Sequence, residues 1–241
     1  MKRRSIIVNG VMDVSLVEEE VNEQALLPDE CFIECLVSLI SPGTELSRVY
    51  GLKKGATYPV RPGYCSVGKV LAKGAAVKNV EVGDCVLYLG PHASHHIVSP
   101  RVPEGKFLHK FDARLSPKEG AMLMMGWIAL NGILPVDVKL FDTVAVFGMG
   151  NLGLFVGIYY QSMGLKVIGI DPVAHRCEIA KKCGISQVVD VAPQDQQKTI
   201  LDLTNGKGAD IVVDATGVSP VIETAVAVTA RSGTVVLWGS A

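Results

Sequence analysis

The glycine-rich segment V-A-V-F-G-M-G-N-L-G, which begins at Val144, constrains the fold of this chain more than any other stretch. Gly148, Gly150 and Gly153 stand in G-x-G-x-x-G spacing, after an apolar strand-like run and before an apolar helix-like run. In such a segment the first glycine permits a tight strand-to-helix turn and the second lets a pyrophosphate approach the backbone. The third lets the helix pack closely on the strand. The segment therefore predicts a dinucleotide-binding turn.

The residues after this turn indicate which dinucleotide it takes. The backbone amides of Asn151 and Leu152 open the helix, where they face an anion. A second strand-like run ends in Asp171, whose carboxylate suits the ribose hydroxyls and repels a 2′-phosphate, so we predict NAD as the cofactor rather than NADP. Arg176 keeps NADP as an alternative, because its side chain could cover the adenine or accommodate a phosphate.

The second half of the chain alternates strand-like and helix-like runs from about Thr143 onwards. The strands are V-A-V-F-G, K-V-I-G-I-D, S-Q-V-V-D-V, A-D-I-V-V-D-A-T-G and T-V-V-L-W-G-S-A. Four helices separate them, and we expect the last helix to continue from Ser219 to just before Gly233. This order predicts an α/β fold with a doubly wound parallel sheet.

The first half is different, because its strands follow one another without helices. They are C-F-I-E-C-L-V-S-L-I, V-G-K-V-L-A-K-G, D-C-V-L-Y-L-G and S-H-H-I-V-S, which together predict a compact β-barrel-like domain. Ser116 and Glu119 then form a capping box at the start of a helix. That helix is apolar almost all round, so we expect it to be buried. The predicted domains are residues 1–125 and 126–241.

Composition excludes several kinds of partner. The chain has 241 residues and a formal net charge of -1, which argues against a nucleic-acid surface. No apolar run is long enough to span a membrane. The six cysteines contain no C-x-x-C pair, which indicates reduced thiols and, with no signal peptide recognised, a cytoplasmic protein. The expected partner is a small-molecule substrate.

The order of these motifs resembles the medium-chain dehydrogenase/reductase superfamily, and within it the sorbitol and threonine dehydrogenase branch. P-D-E-C-F-I-E-C-L-V-S-L-I-S-P-G-T-E-L and G-Y-C-S-V-G-K-V-L-A-K-G carry the resemblance in the first half. D-T-V-A-V-F-G-M-G-N-L-G and V-I-G-I-D-P carry it in the second. The resemblance implies a chaperonin-10-like β-barrel domain followed by a Rossmann domain. It also implies that Thr216, Gly217 and Gly239 line the ribose and nicotinamide side of the cofactor.

The chain departs from this superfamily at the zinc ligands. Zinc-dependent members carry G-x-C-x-[ST]-D and G-H-E, where this chain has I-S-P-G-T-E, ending in Glu45, and Gly63-Tyr64-Cys65. Proline and tyrosine are poor replacements for a thiolate and an imidazole around zinc. The four-cysteine loop of the structural zinc is also missing. His92, His95 and His96 lie close in sequence, but His95 and His96 would face opposite sides of a strand. At most two of the three could converge, with Cys65 as a further candidate ligand, and we predict no metal site.

Without zinc, side chains must protonate or hold the alkoxide that hydride transfer produces. Tyr64 stands where the ligand histidine is lost, Glu45 matches the acidic residue after the lost cysteine, and His92 lies in a Gly-Pro-His loop. We take these three as candidate catalytic residues, although each could equally serve a structural hydrogen bond or ion pair.

The leading functional hypothesis is a zinc-independent, NAD-dependent oxidoreductase acting on a secondary alcohol or ketone. One alternative is a quinone or enoyl reductase, and another is a non-catalytic NAD-binding or redox-sensing protein. A doubly wound domain usually has six strands, and here five are predicted. The resemblance thus implies a C-terminally truncated chain, either a fragment or a short member. The resemblance also implies a homodimer, since members often pair through the last Rossmann strand, but the missing strand weakens this expectation.

Overall fold

A computed structural model describes residues 1–52, 54–99 and 107–238 of the chain. Contacts divide the chain into two units, Met1–Met124 and Met125–Ala241. The boundary falls within helix α2 (Pro117–Ile133). The predicted capping box is confirmed at the start of this helix. The Ser116 amide donates to Glu119 Oε2 at 2.8 Å, and the Glu119 amide donates to Ser116 Oγ at 3.3 Å.

The first unit is built from two antiparallel sheets. A hairpin of β1 (Lys2–Gly10) and β2 (Asp13–Glu20) forms one of them, and the sequence analysis did not foresee it. The other has strand order β6-β3-β4-β5-β7. Its strands are β3 (Cys31–Ser38), β4 (Ser66–Lys73), β5 (Cys85–Tyr88), β6 (His95–Val98) and β7 (Leu108–Lys110). Alternate residues of these strands, such as Ile33, Val70 and Val86, form the buried core.

A short helix, α1 (Pro42–Val49), follows β3. Pro42 suits the first helical position, because the amide that proline lacks would have no partner inside the helix. Ser41 is the N-cap residue, but its hydroxyl makes no capping hydrogen bond. Instead the Ser41 amide donates to Glu45 Oε1 at 2.8 Å. This contact fixes Glu45 on the inner side of the helix.

The second unit is the predicted doubly wound parallel sheet, with strand order β10-β9-β8-β11-β12. Its strands are β8 (Thr143–Phe147), β9 (Lys166–Ile170), β10 (Gln187–Val189), β11 (Ala209–Asp214) and β12 (Thr229–Leu237). Its helices are α3 (Asn151–Ser162), α4 (Ala174–Lys182), α5 (Pro193–Leu203) and α6 (Ser219–Ala227). Alternate residues of β8 enter separate core clusters, Val144 and Val146 in one and Ala145 and Phe147 in the other. The predicted fold class is confirmed.

Two sequence expectations about helices were wrong. Helix α6 ends at Ala227 rather than before Gly233, because Thr229 already pairs with Ala209 of β11. Helix α2 is not buried all round, since Leu123 is 40% exposed and Trp127 is 48% exposed. Among the described residues, no helix is both long and apolar enough to cross a membrane.

Candidate active site

The glycine turn of the second unit connects β8 to α3 through backbone shapes that two of its glycines make possible. At Gly148 φ is 92°, and an added Cβ would lie 2.8 Å from Cγ2 of Thr216. At Gly153 an added Cβ would overlap the carbonyl oxygen of Gly148. The protein itself therefore requires glycine at these two positions.

Gly150 is different, because nothing in the protein occupies the space beside it. Its φ of -77° suits any residue, and an added Cβ would meet no atom within 4 Å. Helix α3 begins directly after it, with no side-chain cap and no acidic residue in its first turn. Among the described residues, nothing accepts a hydrogen bond from the amides of Asn151, Leu152 or Gly153. This open, uncapped helix start fits the pyrophosphate of a dinucleotide.

Asp171 lies directly beside this turn, at the end of β9. Its side chain is 1% exposed, and Oδ2 accepts a hydrogen bond from the Met149 amide at 2.8 Å. Oδ1 accepts from the Val173 amide at 2.9 Å, and Arg176 Nη1 lies 3.4 Å from Oδ2. The carboxylate thus fixes the turn and places a negative charge next to it, while the half-exposed Arg176 partly balances that charge.

Thr216 and Gly217 lie at the end of the neighbouring strand β11, where the buried Asp214 binds them. Asp214 Oδ1 accepts from the Thr216 amide at 2.8 Å and from its hydroxyl at 2.6 Å, and Oδ2 accepts from the Gly217 amide at 3.3 Å. These donors are already used inside the protein, so they are not free to bond to another group. The sequence analysis missed Asp214. Gly239 lies outside the described residues.

The first unit holds a separate polar cluster, in which His92 lies between Glu45 and Ser38. His92 Nε2 lies 2.7 Å from Glu45 Oε2, and His92 Nδ1 lies 2.9 Å from Ser38 Oγ. The side chains of His92 and Glu45 are 10% and 6% exposed. Two of the three predicted catalytic residues are therefore in direct contact and shielded from solvent.

Tyr64, the third candidate, is partly exposed. Its neighbour Cys65 is buried and donates its thiol proton to the Ala121 carbonyl at 3.2 Å. Burial, and next the negative charge of Glu45, raises the pKa of the Cys65 thiol to about 12. Cys65 is therefore a neutral thiol beside the cluster rather than a thiolate.

Ser38 is the residue that sequence reasoning missed in this cluster. It ends β3, and β6 pairs antiparallel with β3 so that Ile33 faces His96 and Glu34 faces His95. Continuing this register brings the loop before β6, which contains His92, to the end of β3. A correct pairing of β3 with β6 would have found Ser38, whereas no local motif marks it.

The residues present do not fit a zinc ion. In the part of the chain that the structure describes, no three His, Cys, Asp or Glu side chains are grouped to hold a metal. Both ring nitrogens of His92 are engaged, and the Cys65 thiol is protonated. His95 stacks on Phe32 and His96 stacks on Tyr88, so these two histidines do face opposite ways.

The thiols should differ sharply in reactivity. Cys183 is exposed, whereas Cys65 is buried with a raised pKa. Because the thiolate is the reactive form, iodoacetamide at neutral pH should alkylate Cys183 well before Cys65 in the folded protein. Peptide mass spectrometry over time measures both sites. Cys183→Ser should remove the fast phase, and early labelling of Cys65 would contradict the buried, protonated thiol.

Known proteins share this architecture. The family described as zinc-binding dehydrogenase matches residues 152–241. D-guloside 3-dehydrogenase of Escherichia coli (strain K12) is 30% identical over 170 residues, which are 70% of this chain and 48% of that enzyme. The chain thus spans about half the length of this curated relative.

Solved structures agree over nearly the whole chain. A quinone oxidoreductase from Pseudomonas syringae pv. Tomato DC3000 superposes with a TM-score of 0.80 and 25% identity, covering 98% of this chain and 73% of that one. A protein from Sinorhizobium meliloti 1021, described as a zinc-binding dehydrogenase bound to NADP, gives a TM-score of 0.84 at 21% identity, covering 98% and 76%. Together with the glycine turn and the barrel-like first unit, these matches show that the chain belongs to the medium-chain dehydrogenase/reductase superfamily.

Proposed function

We propose that this chain binds NAD(H) and transfers hydride between the cofactor and a secondary alcohol or ketone without zinc. The observation that carries the proposal is the uncapped start of α3 beside Gly150, with the Asp171 carboxylate next to it. Free helix amides bind a pyrophosphate, and the neighbouring strand end is where a ribose is held in this fold. Bound NAD⁺ supplies the hydride acceptor.

The polar cluster of the first unit supports the proton transfer that accompanies hydride transfer. Oxidation of an alcohol releases a proton as well as a hydride, so a base must take that proton. Glu45 and His92 form a buried carboxylate–imidazole pair, which is the usual composition of a general base in enzymes. Tyr64 adds a partly exposed hydroxyl that can donate to a developing alkoxide.

Two measurements test the proposal. Fluorescence titration with NADH and with NADPH should show tighter binding of NADH. A panel of polyols, sugar glycosides, hydroxy acids and quinones should then give nicotinamide absorbance changes with a secondary alcohol. Turnover of quinones alone would contradict the proposal and indicate a quinone reductase, an alternative that the similarity to the Pseudomonas syringae structure favours. NADH binding with no turnover would favour a sensor.

The Asp171 carboxylate should set the preference for NADH. Asp171→Ser removes the negative charge that disfavours the 2′-phosphate of NADPH, so NADPH affinity should rise relative to NADH affinity by about tenfold, which corresponds to about 1.4 kcal/mol. The measured quantity is the ratio of the two dissociation constants. A purely structural effect on the turn would weaken both cofactors equally and leave that ratio unchanged. Asp202→Asn, at an exposed position of α5, serves as the matched control.

A further inference from the structure

His92 cannot exchange a proton with a substrate directly, because both of its ring nitrogens are already bonded. Nε2 meets Glu45 at 2.7 Å and Nδ1 meets Ser38 at 2.9 Å. The ring is also 10% exposed, which leaves little of it open to a ligand. If this cluster moves a proton, one of the two partners of His92 must make the contact with the substrate.

Glu45 is poorly placed for that contact. Its side chain is 6% exposed, Oε1 accepts from the Ser41 amide at 2.8 Å, and Oε2 is bonded to His92. Ser38 is partly exposed, at the end of β3. In the described part of the chain the Ser38 hydroxyl has His92 as its one side-chain partner, so its oxygen keeps a lone pair that can accept a further hydrogen bond from a ligand.

The donors and acceptors in the cluster follow from the carboxylate. An ionised carboxylate only accepts, so Nε2 of His92 carries a proton and donates it to Glu45. In the neutral ring Nδ1 is then the acceptor, and the Ser38 hydroxyl donates to it. This is the order of a serine–histidine–acid triad with the two ring nitrogens exchanged.

The backbone holds the ring in this position from two sides. The His92 amide donates to the Pro62 carbonyl at 2.8 Å, and its carbonyl accepts from the Ile6 amide of β1 at 2.9 Å. Gly63 packs so closely that an added Cβ would lie 2.5 Å from the His92 nitrogen. These contacts keep the His92 ring in one position and orientation, as a preorganised catalytic group requires.

We propose that Ser38 is the catalytic residue that exchanges a proton with the substrate hydroxyl, and that His92 and Glu45 are positioning residues acting through it. This inference rests on the proposed dehydrogenase function. During oxidation the substrate O–H bond breaks and its proton passes to Ser38 Oγ, while the proton of Ser38 passes to His92 Nδ1. The hydride leaves the carbinol carbon for NAD⁺. The products are the ketone, NADH and an imidazolium ion paired with Glu45.

The kinetic test compares Ser38→Ala with Ser38→Thr, using the alcohol identified by the substrate panel. Ser38→Ala should lower kcat by about 100-fold or more, the usual contribution of a positioned acid or base, with little change in the KM for NAD. Ser38→Thr keeps the hydroxyl and should restore much of the rate. Ser47→Ala is the matched control, because its hydroxyl donates only to the Thr44 carbonyl. A kcat of Ser38→Ala close to that of the wild type would overturn the proposal.

A second readout does not depend on turnover. Nitrogen-15 NMR of the histidine rings should show His92 as the Nε2–H tautomer, and Ser38→Ala should shift the Nδ1 resonance by removing its hydrogen bond. An Nδ1–H tautomer would contradict the assigned direction of the Ser38 bond and overturn the proposal. Wild-type protein that binds NADH but turns over no alcohol would instead overturn the proposed function, and with it the catalytic role of Ser38.

Discussion

Gly150→Ala should give a protein that folds normally and binds NADH at least about tenfold more weakly. The position has an ordinary φ of -77°, and an added Cβ meets no protein atom within 4 Å. Only a ligand approaching the turn would meet that methyl group, and tenfold corresponds to about 1.4 kcal/mol of binding free energy. The free energy of unfolding should change by no more than about 1 kcal/mol, since alanine is a poorer N-cap than glycine.

Gly153→Ala should lower the stability of the fold, unlike Gly150→Ala, so the pair of variants separates a loss of binding in a stable protein from a loss of stability. Here an added Cβ overlaps the carbonyl oxygen of Gly148, so α3 must move away from the turn. Overpacking of this kind costs about 1–3 kcal/mol, which lowers Tm by several degrees in a domain of this size. Thermal unfolding and NADH titration measure both effects. Equal binding by wild type and Gly150→Ala would contradict the assignment of the turn as the pyrophosphate site.

Acid should destabilise the first unit through His96. Burial, and next the positive charge of Arg3, lowers the pKa of His96 from 6.5 to about 4. Its Nδ1 is buried without a hydrogen-bond partner among the described residues, and the ring stacks on Tyr88. The folded protein therefore resists the proton that the unfolded chain accepts below about pH 6.5.

The direction of this pH effect on stability follows from the difference in proton binding between the folded and unfolded states. Between about pH 6.5 and pH 4 the unfolded state binds more protons, so the free energy of unfolding falls as pH falls, by about 3 kcal/mol in total from this group. Below pH 4 the contribution is fully lost and stays constant. Urea unfolding at several pH values should show this loss in the wild type, on top of that from lowered carboxyl pKa values such as that of Asp84.

His96→Phe keeps an aromatic ring against Tyr88 and removes the titrating group. The variant should lose less stability than the wild type between pH 6.5 and 4. His175→Gln is the control, because the side chain of His175 is 78% exposed and its loss should not alter the slope. Identical slopes in all three proteins would show that His96 takes up its proton as readily in the folded state as in the unfolded chain.

The hairpin of β1 and β2 pairs basic and acidic residues across its two strands, which the sequence did not predict. Strand β1 begins with basic residues and strand β2 ends with acidic ones. In the structure Arg3 faces Glu19 and Arg4 faces Glu18 across the two strands, with Arg3 bonded to Glu19 at 3.1 Å. Charge pairing between two strands is visible only once their register is known.

The glycine turn was determined by the sequence itself, because every requirement of a strand, a tight turn and a helix start lies within one short segment. Asp171 was also determined by the sequence, because the second strand ends in an acidic residue 18 positions after Gly153. The cluster of Ser38, His92 and Glu45 was decided by tertiary structure alone. His92 meets residues 54 and 47 positions away, through strand pairing and the backbone of β1, and no local spacing encodes such contacts. Sequence named Glu45 and His92 as separate candidates. The fold brings these two into direct contact and adds Ser38 at the other ring nitrogen of His92.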